Sequence, residues 1–412
     1  MRKILVIGTG GREHALAWKL AQEAEVFVSP GNPGISTVAT LMPGTPLEAA
    51  RAVQPDLVVI GPENPLIDGL ADTLRGEGFA VFGPGASGAH LEGSKAFCKE
   101  VMTAAGVRTA GYRSFTNRTE AGAYARENFE SGRPVVVKAS GAALGKGVVV
   151  CESLDEADEA LDMMMIDREF GEAGTTIVIE DRLRGPEFSL LSVCNGREFV
   201  SLPVAQDYKR ALDQDRGPNT GGMGTYSPVD SISSGLVMQT ERDTVSPLIE
   251  ELRNRRIDYR GVLFSGLMVD GGQPWCLEYN VRFGDPETET VMRRLGSGFA
   301  ELLLAAARGE DLPALEVKSD AAVTVIMASG GYPGAYEKGV PIAIPHDLPE
   351  GVVVFHCGTA MRDGQLVTAG GRVLAVSATG ESVQAARASA YAAADRIEFS
   401  GKHFRRDIAL SS

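Results

Sequence analysis

The first ninety residues alternate short apolar runs with segments of helical periodicity, and this alternation restricts the possible folds more than any other feature of the chain. Periodicity predicts four strands, at Ile4 to Ile7, Val26 to Val28, Leu57 to Ile60 and Ala80 to Phe82. Strands that alternate with helices form a parallel sheet with helices on its faces. We therefore predict an α/β domain with a doubly wound parallel sheet at residues 1–93.

Three of these strands end in polar or glycine-rich turns, which read GTGGRE, SPGNPG and GPENPL. Ligands of parallel sheets bind beyond the carboxyl ends of the strands, so the turns predict a pocket. The first turn, Gly8 to Glu13, is compatible with a dinucleotide site, another phosphate site, or a tight turn that serves packing alone. Glu13 at the third glycine position and Ser29-Pro30 at the end of the second strand argue against NAD.

The bulk composition narrows the functional classes. A chain of 412 residues exceeds what one core supports, which predicts two to four domains. The formal net charge of −14 argues against bulk attraction to nucleic acid or to an anionic membrane. Five scattered cysteines and five histidines without ligand spacing argue against a zinc site. No apolar run suggests a signal or membrane segment, so we expect a cytoplasmic protein.

Beyond residue 93 the pattern changes from a regular alternation to two lobes. Short strands and helices between residues 112 and 181 predict a small lobe. A larger lobe contains the longest predicted helix, Gly235 to Arg255, and two adjacent strands, Val262 to Val269 and Trp275 to Val281. The chain becomes β-rich again after residue 312 and closes with a helix from Ser382 to Ile397.

The string LEYNVRFGDPET, Leu277 to Thr288, predicts a metal and phosphate site. On a strand, Glu278, Asn280 and Arg282 share one face. The acid and the amide offer oxygen ligands to a hard cation, and the guanidinium suits a carboxylate or a phosphate. The alternative is an edge strand with a solvated ion pair.

Three further strings carry candidate chemistry. VVVKASGAALGKGVVV places Lys138 at a strand end and Lys146 in a small-residue loop, which suits a polyphosphate or forms only a flexible hairpin. IVIEDRLRGPEFSL places Glu180 and Glu187 around a turn that fits a nucleotide-binding hinge or a plain hairpin. The glycine-rich loop GPNTGGMGTYSP follows QDYKR and predicts backbone contact with an anion or intermediate.

The order of these features, from Lys138 through the Glu180 hinge to Glu278 and Asn280, resembles the ATP-grasp ligases. The strings GGREHALAW, PGNPG, EGSKAF, GPNTGGMG and RFGDPET resemble the phosphoribosylamine-glycine ligase family within that superfamily, and the resemblance covers nearly the whole chain. It implies a Rossmann-like substrate domain at 1–93, a two-lobed ATP-grasp domain at 94–312 with a small mobile lobe at about 114–183, and a small β-rich α/β domain at 313–412.

The resemblance implies an ATP-dependent carbon-nitrogen ligase of de novo purine biosynthesis. Glycine would be joined to 5-phosphoribosylamine through glycyl phosphate, giving glycinamide ribonucleotide, ADP and phosphate. The implied cofactors are ATP with Mg²⁺ or Mn²⁺, and the implied partners are these small molecules, without nucleic acid or membrane. We expect a monomer.

The resemblance also implies roles for individual residues. The ATP-binding residues would be Lys95, Lys138, Lys146, Glu180, Leu183 and Glu187. The metal ligands would be Glu278 and Asn280, and the catalytic residues Arg282, Lys138 and Asp207. The substrate-binding residues would be Gly10, Gly11, Arg12, Glu13, Asn32, Glu63 and Arg282.

Two positions depart from the family pattern, because Ser140 and Tyr208 stand where the family reads KADG and DHKR. Neither residue can carry a charge-dependent role there. The strand at Val262 to Val269 lacks a carboxylate, which leaves open whether one metal ion or two are bound. The alternatives are another ATP-grasp carboxylate-amine ligase, a nicotinamide-dependent dehydrogenase, and a non-catalytic nucleotide-sensing module.

Overall fold

The N-terminal domain is built on the predicted parallel sheet. The structure, a computed structural model, describes residues 1–141 and 147–410. The first elements are β1 (Lys3–Gly8), α1 (Gly11–Leu20), β2 (Glu25–Pro30), β3 (Thr40–Leu41), α2 (Pro46–Val53), β4 (Leu57–Ile60), α3 (Glu63–Ile67), α4 (Leu70–Gly76), β5 (Val81–Phe82), α5 (Ala86–Gly93) and α6 (Lys95–Ala104). All neighbours in the strand order β3-β2-β1-β4-β5 are parallel.

Alternate residues of β1 show that both faces of this sheet are covered. Ile4 and Val6 belong to the core cluster that contains the apolar residues of α1. Leu5 and Ile7 belong to the cluster that contains Ala49 and Ala50 of α2. The doubly wound fold predicted from the sequence is therefore confirmed.

The small lobe is an antiparallel sheet covered by two helices. Its elements are β6 (Tyr112–Phe115), α7 (Arg118–Glu130), β7 (Val135–Ala139), β8 (Val148–Cys151), α8 (Leu154–Met165) and β9 (Ile177–Asp181), and its strand order is β6-β9-β7-β8. Phe115, Val137, Leu161 and Ile179 belong to a core cluster composed of this lobe's own residues. The loop between β7 and β8 includes Lys146, which lies outside the described residues.

The large lobe carries the longest strands of the ATP-grasp segment. Its elements are β10 (Glu187–Asn195), β11 (Phe199–Ser201), β12 (Gln206–Asp207), β13 (Arg210–Leu212), β14 (Arg216–Asn219), β15 (Gly224–Ser227), α9 (Ser234–Thr240), α10 (Ser246–Asn254), β16 (Arg260–Asp270), β17 (Gln273–Asn280), α11 (Glu287–Arg294) and α12 (Phe299–Arg308). The strand order β11-β10-β16-β17 confirms that the two predicted strands are neighbours. A π-helical turn, Glu241–Val245, joins α9 to α10, so the predicted long helix is interrupted.

The C-terminal domain shares a sheet with the large lobe. Its elements are β18 (Ala321–Ala328), β19 (Val352–His356), β20 (Thr359–Arg362), β21 (Gln365–Thr368), β22 (Arg372–Gly380) and α13 (Val383–Arg396). The sheet has the order β12-β15-β18-β22-β19, so two of its strands come from the segment before residue 313. The chain around QDYKR and the glycine-rich loop is thus attached to the C-terminal domain.

The strand that carries Glu278 ends earlier than the sequence predicts. Leu277 forms a bulge, since Gly266 pairs with Glu278 and Leu267 pairs with Cys276. β17 stops at Asn280, and the N–H group of Val281 donates to the carboxylate of Glu92 at 2.8 Å instead of joining the sheet. The prediction that Arg282 shares a strand face with Glu278 and Asn280 was therefore wrong, because Arg282 lies in the following loop.

Candidate active site

A buried carboxylate holds two lysines where the small lobe meets α6. Lys138 Nζ lies 2.9 Å from Glu180 Oε1, and Lys99 Nζ lies 3.0 Å from Glu180 Oε2. All three side chains are less than one-tenth exposed. Burial favours neutral Lys138, yet its pKa lies above the usual range because Glu180 and Glu278 are close. The arrangement fixes a charged ammonium on β7.

Lys99 was not among the predicted site residues, although the sequence contains a signal for it. Lys95 is the first residue of α6 and Lys99 follows at a spacing of four, so both lie on one face of the helix. Lys99 also donates to Thr109 Oγ1 at 2.6 Å. Lys99 therefore contacts the carboxylate that holds Lys138.

Ser140, one of the two departures from the family pattern, caps the helix that presents Lys95. The Ser140 hydroxyl accepts a hydrogen bond from Ala96 N at 3.0 Å, and the main-chain carbonyl of Ser140 accepts one from Lys95 N at 2.7 Å. Ser94 Oγ accepts from Phe97 N at 3.2 Å at the same helix end. A hydroxyl can satisfy these main-chain donors without a charge.

Glu278 faces a concentration of positive charge. Desolvation favours its neutral form, yet its pKa lies below the usual range because Lys209, Lys138 and Lys95 surround it. Asn280, two residues along, directs Oδ1 toward Arg282 Nη2 at 3.5 Å. The pair offers an ionised carboxylate and an amide oxygen, which are ligands that a hard divalent cation accepts.

Lys209 lies close to Asp207 and Glu187, and it was not among the predicted site residues. Lys209 Nζ lies 2.9 Å from Glu187 Oε2, and the pKa of Lys209 lies well above the usual range because Asp207 and Glu187 are close. The pKa of Asp207 is raised by burial and by Glu187, against the effect of Lys209. Lys209 follows Asp207 by two residues, and this spacing in an extended chain was the available signal.

Glu287, at the start of α11, is a second carboxyl whose pKa lies above the usual range. Burial and the nearby Asp207 raise its pKa to about 7. Ser189 Oγ donates to Glu287 Oε1 at 3.1 Å. Two acidic groups with raised pKa values therefore lie near one cationic lysine, a distribution found where protons are exchanged.

Arg282 connects this cleft to the N-terminal domain. Its Nε atom lies 3.4 Å from Glu63 Oε2, and its Nη2 atom lies 3.0 Å from Glu92 Oε1. Arg12 Nη1 lies 3.8 Å from Glu63 Oε2 and donates to the carbonyl of Phe283 at 3.2 Å. Desolvation favours neutral Glu63, but Arg282 and Arg12 hold its pKa below the usual range.

The glycine turn after β1 is occupied by the chain's own carboxylate. Glu13 Oε2 accepts from Gly10 N at 2.6 Å and from Thr9 N at 3.2 Å, while Glu13 Oε1 accepts from Arg12 Nε at 2.5 Å. A side chain at Gly8, whose φ is +134°, would collide with Glu13. The amides of Thr9 and Gly10 in this turn are therefore already satisfied, unlike those of a dinucleotide fingerprint.

Asn32 also makes internal contacts at the edge of the sheet. Its amide nitrogen donates to Thr9 O at 2.7 Å and to His356 O at 2.8 Å, and its amide oxygen accepts from Ile35 N at 3.1 Å. Asn32 thereby connects the first two strand-end turns to the C-terminal domain. Its side chain also lines a cavity of about 630 Å³ beside the β20–β21 hairpin.

Arg372 of β22 contacts two stretches of the chain that were predicted as separate motifs. Its Nη1 atom lies 3.0 Å from Asp285 Oδ1 and donates to Gly221 O at 2.7 Å. Asp285 belongs to RFGDPET and Gly221 to the glycine-rich loop GPNTGGMG. The C-terminal domain therefore contributes an arginine to the edge of the site, and no local pattern around Arg372 predicted it.

Comparison with known proteins agrees with this architecture. Family models of phosphoribosylglycinamide synthetase match in three parts: the N domain at residues 2–92, the ATP-grasp (A) domain at 93–288 and the C domain at 322–411. Phosphoribosylamine–glycine ligases from Rhizobium meliloti and Agrobacterium fabrum are 46% and 45% identical to the chain; in each case the match covers 98% of this chain and 97% of the relative.

Solved structures support the same assignment. The crystal structure of phosphoribosylamine–glycine ligase from Thermotoga maritima is 38% identical and matches with a TM-score of 0.88, covering 98% of this chain and 100% of that one. A biotin carboxylase from Campylobacter jejuni is 16% identical, with a TM-score of 0.75 over 100% of this chain and 94% of that one, and this likeness concerns the fold alone.

The two-lobed core and the match to the ATP-grasp (A) domain define an ATP-grasp enzyme, an ATP-dependent ligase. The family models together span most of the chain, and the relatives match over nearly their full length. The chain belongs to the phosphoribosylamine–glycine ligase family. None of its described helices is long and apolar enough to cross a membrane.

Proposed function

We propose that the chain joins glycine to 5-phosphoribosylamine at the expense of ATP in purine biosynthesis. The observation that carries the proposal is the position of Arg282, which contacts Asn280 on one side and Glu63 on the other. The proposed phosphate site and the proposed amine site at the strand ends of the N-terminal domain therefore adjoin at one guanidinium. A ligase needs this proximity, because the activated acid must meet the amine before water does.

The proposed reaction has two steps. A carboxylate oxygen of glycine attacks the γ-phosphorus of ATP, the bond to the β-phosphate oxygen breaks, and ADP leaves. The amine of phosphoribosylamine then attacks the acyl carbon, phosphate leaves with the bonding electron pair, and the amine gives up a proton. Neither step needs a nucleophilic side chain, so the protein contributes positioning and charge neutralisation.

ATP would lie between the small lobe and the large lobe. We assign the phosphates to Lys95, Lys138 and Lys146, whose ammonium groups offset the negative charge. We assign the adenine to the main chain around Glu180 and Leu183, because the Glu180 carboxylate is already bound to two lysines. We assign the ribose to Glu187, which forms an ion pair with Lys209 in the structure.

Glu278 and Asn280 fit a divalent cation. Within residues 1–141 and 147–410, no group of three or more His, Cys, Asp or Glu side chains could enclose a metal on its own. Mg²⁺ in nucleotide sites is held by one or two protein ligands together with phosphate oxygens and water, which matches this donor pair. The bound ion, Mg²⁺ or Mn²⁺, would neutralise charge on the phosphates.

Arg282 and Asp207 are the proposed catalytic residues beside Lys138. The Arg282 guanidinium suits the glycine carboxylate and then the acyl phosphate. Asp207, whose pKa is raised by burial, is suited to accept the proton that the attacking amine releases. Lys209 offsets part of the negative charge around Asp207.

We assign phosphoribosylamine to the strand ends of the N-terminal domain. Arg12 and Glu63 are the charged groups that lead from this region to Arg282. Gly10, Gly11, Glu13 and Asn32 would shape the pocket, since both polar side chains of this set hold main-chain groups in place.

The decisive assay measures ADP release with each substrate supplied separately and together. ADP should form at a substantial rate only when glycine and phosphoribosylamine are both present. Release with other acid and amine pairs alone would replace the proposal with another ATP-grasp carboxylate–amine ligase. A monomer located in the cytoplasm remains part of the proposal, and light scattering of the purified chain tests the monomer.

A further inference from the structure

The last described residues, 402–410, contain a buried arginine that the mechanism does not use. Arg405 is the largest fully buried side chain of the described chain, and its guanidinium is completely enclosed. Its Nε and Nη2 atoms donate to both carboxylate oxygens of Asp407, at 2.8 and 2.7 Å. Because Nε and Nη2 are both bound to Asp407, Nη1 is left to bind residues outside the C-terminal segment.

Nη1 of Arg405 binds the hairpin that follows the candidate catalytic residues. It donates to Asp215 Oδ1 at 2.8 Å and to the carbonyl of Arg210 at 3.1 Å. Asp407 Oδ2 accepts from Gln214 N at 2.8 Å, and Arg406 N donates to Asp213 Oδ1, also at 2.8 Å. The turn between β13 and β14 is thus bound on three sides by residues 405–407.

Tyr208 extends these contacts to the residue between Asp207 and Lys209. Its hydroxyl accepts from Ala409 N at 3.0 Å, and the Arg405 guanidinium lies 4.8 Å from the centre of its ring. The main chain of Tyr208 is bonded to Gly224 O at 2.9 Å. In an extended chain, neighbouring side chains point to opposite sides, so Tyr208 faces residues 402–410 while Asp207 and Lys209 face the cleft.

We propose that Arg405 and Tyr208 are positioning residues of the ligase: through them, residues 402–410 hold residues 207–209 and so present Asp207 and Lys209 to the cleft. The inference rests on the proposed function, because it concerns the geometry of that site. Lys209 lies between β12 and β13, and its ammonium reaches Glu187 from this short connection. β12 has only two residues, so its geometry depends on further contacts. Met223 N and Thr220 N bond the carbonyls of Tyr208 and Lys209, and residues 402–410 hold the Tyr208 side chain.

The primary variant is Tyr208→Phe, which removes one hydroxyl and keeps the ring under Arg405. Arg405→Met is a second variant, but it leaves Asp215 and Asp407 without their partner and is expected to destabilise the fold. The matched control is Arg396→Met. Arg396 also pairs with an aspartate of the C-terminal domain, Asp347, at 2.5 Å, but it makes no contact with residues 206–219.

Hydrogen exchange and kinetics are measured on the same preparations. Tyr208→Phe should speed amide exchange in residues 206–219, lower kcat about five-fold or more, and change KM for ATP less than two-fold. In a Lys209→Met background, the same change should lower kcat by a smaller factor than in the parent, because one of the two residues that it positions is gone. Arg396→Met should leave exchange in that segment and kcat unchanged.

The possible results distinguish the positioning role from a purely structural contact and from a failure of the proposed function. Unchanged exchange in residues 206–219 of Tyr208→Phe would overturn the inference whatever the activity. Faster exchange with parental kcat, or a loss of kcat that multiplies fully in the Lys209→Met background, would show a structural contact without a positioning role. A parent chain that does not turn over glycine and phosphoribosylamine would instead overturn the proposed function, and the inference with it.

Discussion

Arg282 Nε lies 3.4 Å from Glu63 Oε2, which places the loop after β17 in direct contact with the N-terminal domain. The same guanidinium reaches Glu92 Oε1 at 3.0 Å. A single cation therefore spans the boundary between the proposed glycine and phosphoribosylamine sites. Substitutions on either side of this contact should separate the two substrates kinetically.

Glu63→Gln should raise KM for phosphoribosylamine about ten-fold, since a charged acceptor of Arg282 and of the substrate is lost. KM for ATP should stay within two-fold. Steady-state kinetics with phosphoribosylamine generated in situ measures both values. Glu100→Gln is the control, because Glu100 is exposed and pairs with Arg255 away from the site. An unchanged KM for phosphoribosylamine would remove Glu63 from the substrate site.

Glu278→Gln should reduce metal-dependent turnover by roughly 10² or more, because an ionised ligand becomes a neutral amide. The fold should survive, as the side chain lies in a cleft and not in the apolar core. Titration of turnover with Mg²⁺ and thermal unfolding are the two measurements. Parental turnover at every metal concentration would show that Glu278 is not a ligand.

Lys138→Met should weaken ATP binding, turnover, or both, since the only ammonium that β7 places against Glu180 is removed. Isothermal titration with an ATP analogue separates binding from the chemical steps. Lys318→Met is a suitable control because Lys318 is exposed and lies in the segment before β18. If neither affinity nor kcat changed, the phosphate role of Lys138 would be wrong.

Acid should destabilise the interface between the N-terminal and C-terminal domains. His14 Nδ1 accepts from His356 N at 2.9 Å. Burial lowers the pKa of His14 to about 3 and that of His356 to about 4, against 6.5 for an ordinary histidine. The unfolded chain therefore binds more protons between these values, so the free energy of unfolding falls as pH decreases below 6.5.

The loss should approach about 1.4 kcal/mol per pH unit for each histidine. Urea unfolding at pH 7.5, 6.0 and 5.0 measures it in the parent and in His14→Asn, whose side-chain oxygen can accept the same hydrogen bond without titrating. The variant should lose less stability between pH 6.0 and 5.0 than the parent does. Parallel losses would show that His14 does not contribute.

Regular local patterns predicted much of the fold. The spacing of apolar runs gave the parallel sheet, and the strand pair β16 and β17 followed from two neighbouring runs. The sequence did not predict that β12 and β15 belong to the C-terminal sheet. The pairing of β15 with β18 joins segments about a hundred residues apart. The end of β17 was missed for the same reason, since Glu92 takes the N–H group of Val281 from 189 positions away.

The candidate site divides in a similar way. Lys138, Glu278 and Asn280 could be selected because residue type and local order carry their chemistry. Lys99, Lys209 and Arg372 were not selected. Local spacing marks Lys99 and Lys209, but the contact that gives each of the three residues its place in the site is with a carboxylate of another element. Glu13 and Asn32 were assigned to substrate from the sequence, whereas their observed partners are main-chain groups of the protein.

The most direct test of the central claim follows one oxygen atom. Glycine labelled with ¹⁸O in its carboxylate is converted with ATP and phosphoribosylamine, and the inorganic phosphate is analysed by mass spectrometry. If the carboxylate attacks the γ-phosphorus, one ¹⁸O atom should appear in each phosphate released, and the release should require phosphoribosylamine. Unlabelled phosphate, or labelled phosphate released at the same rate without the amine, would contradict the account.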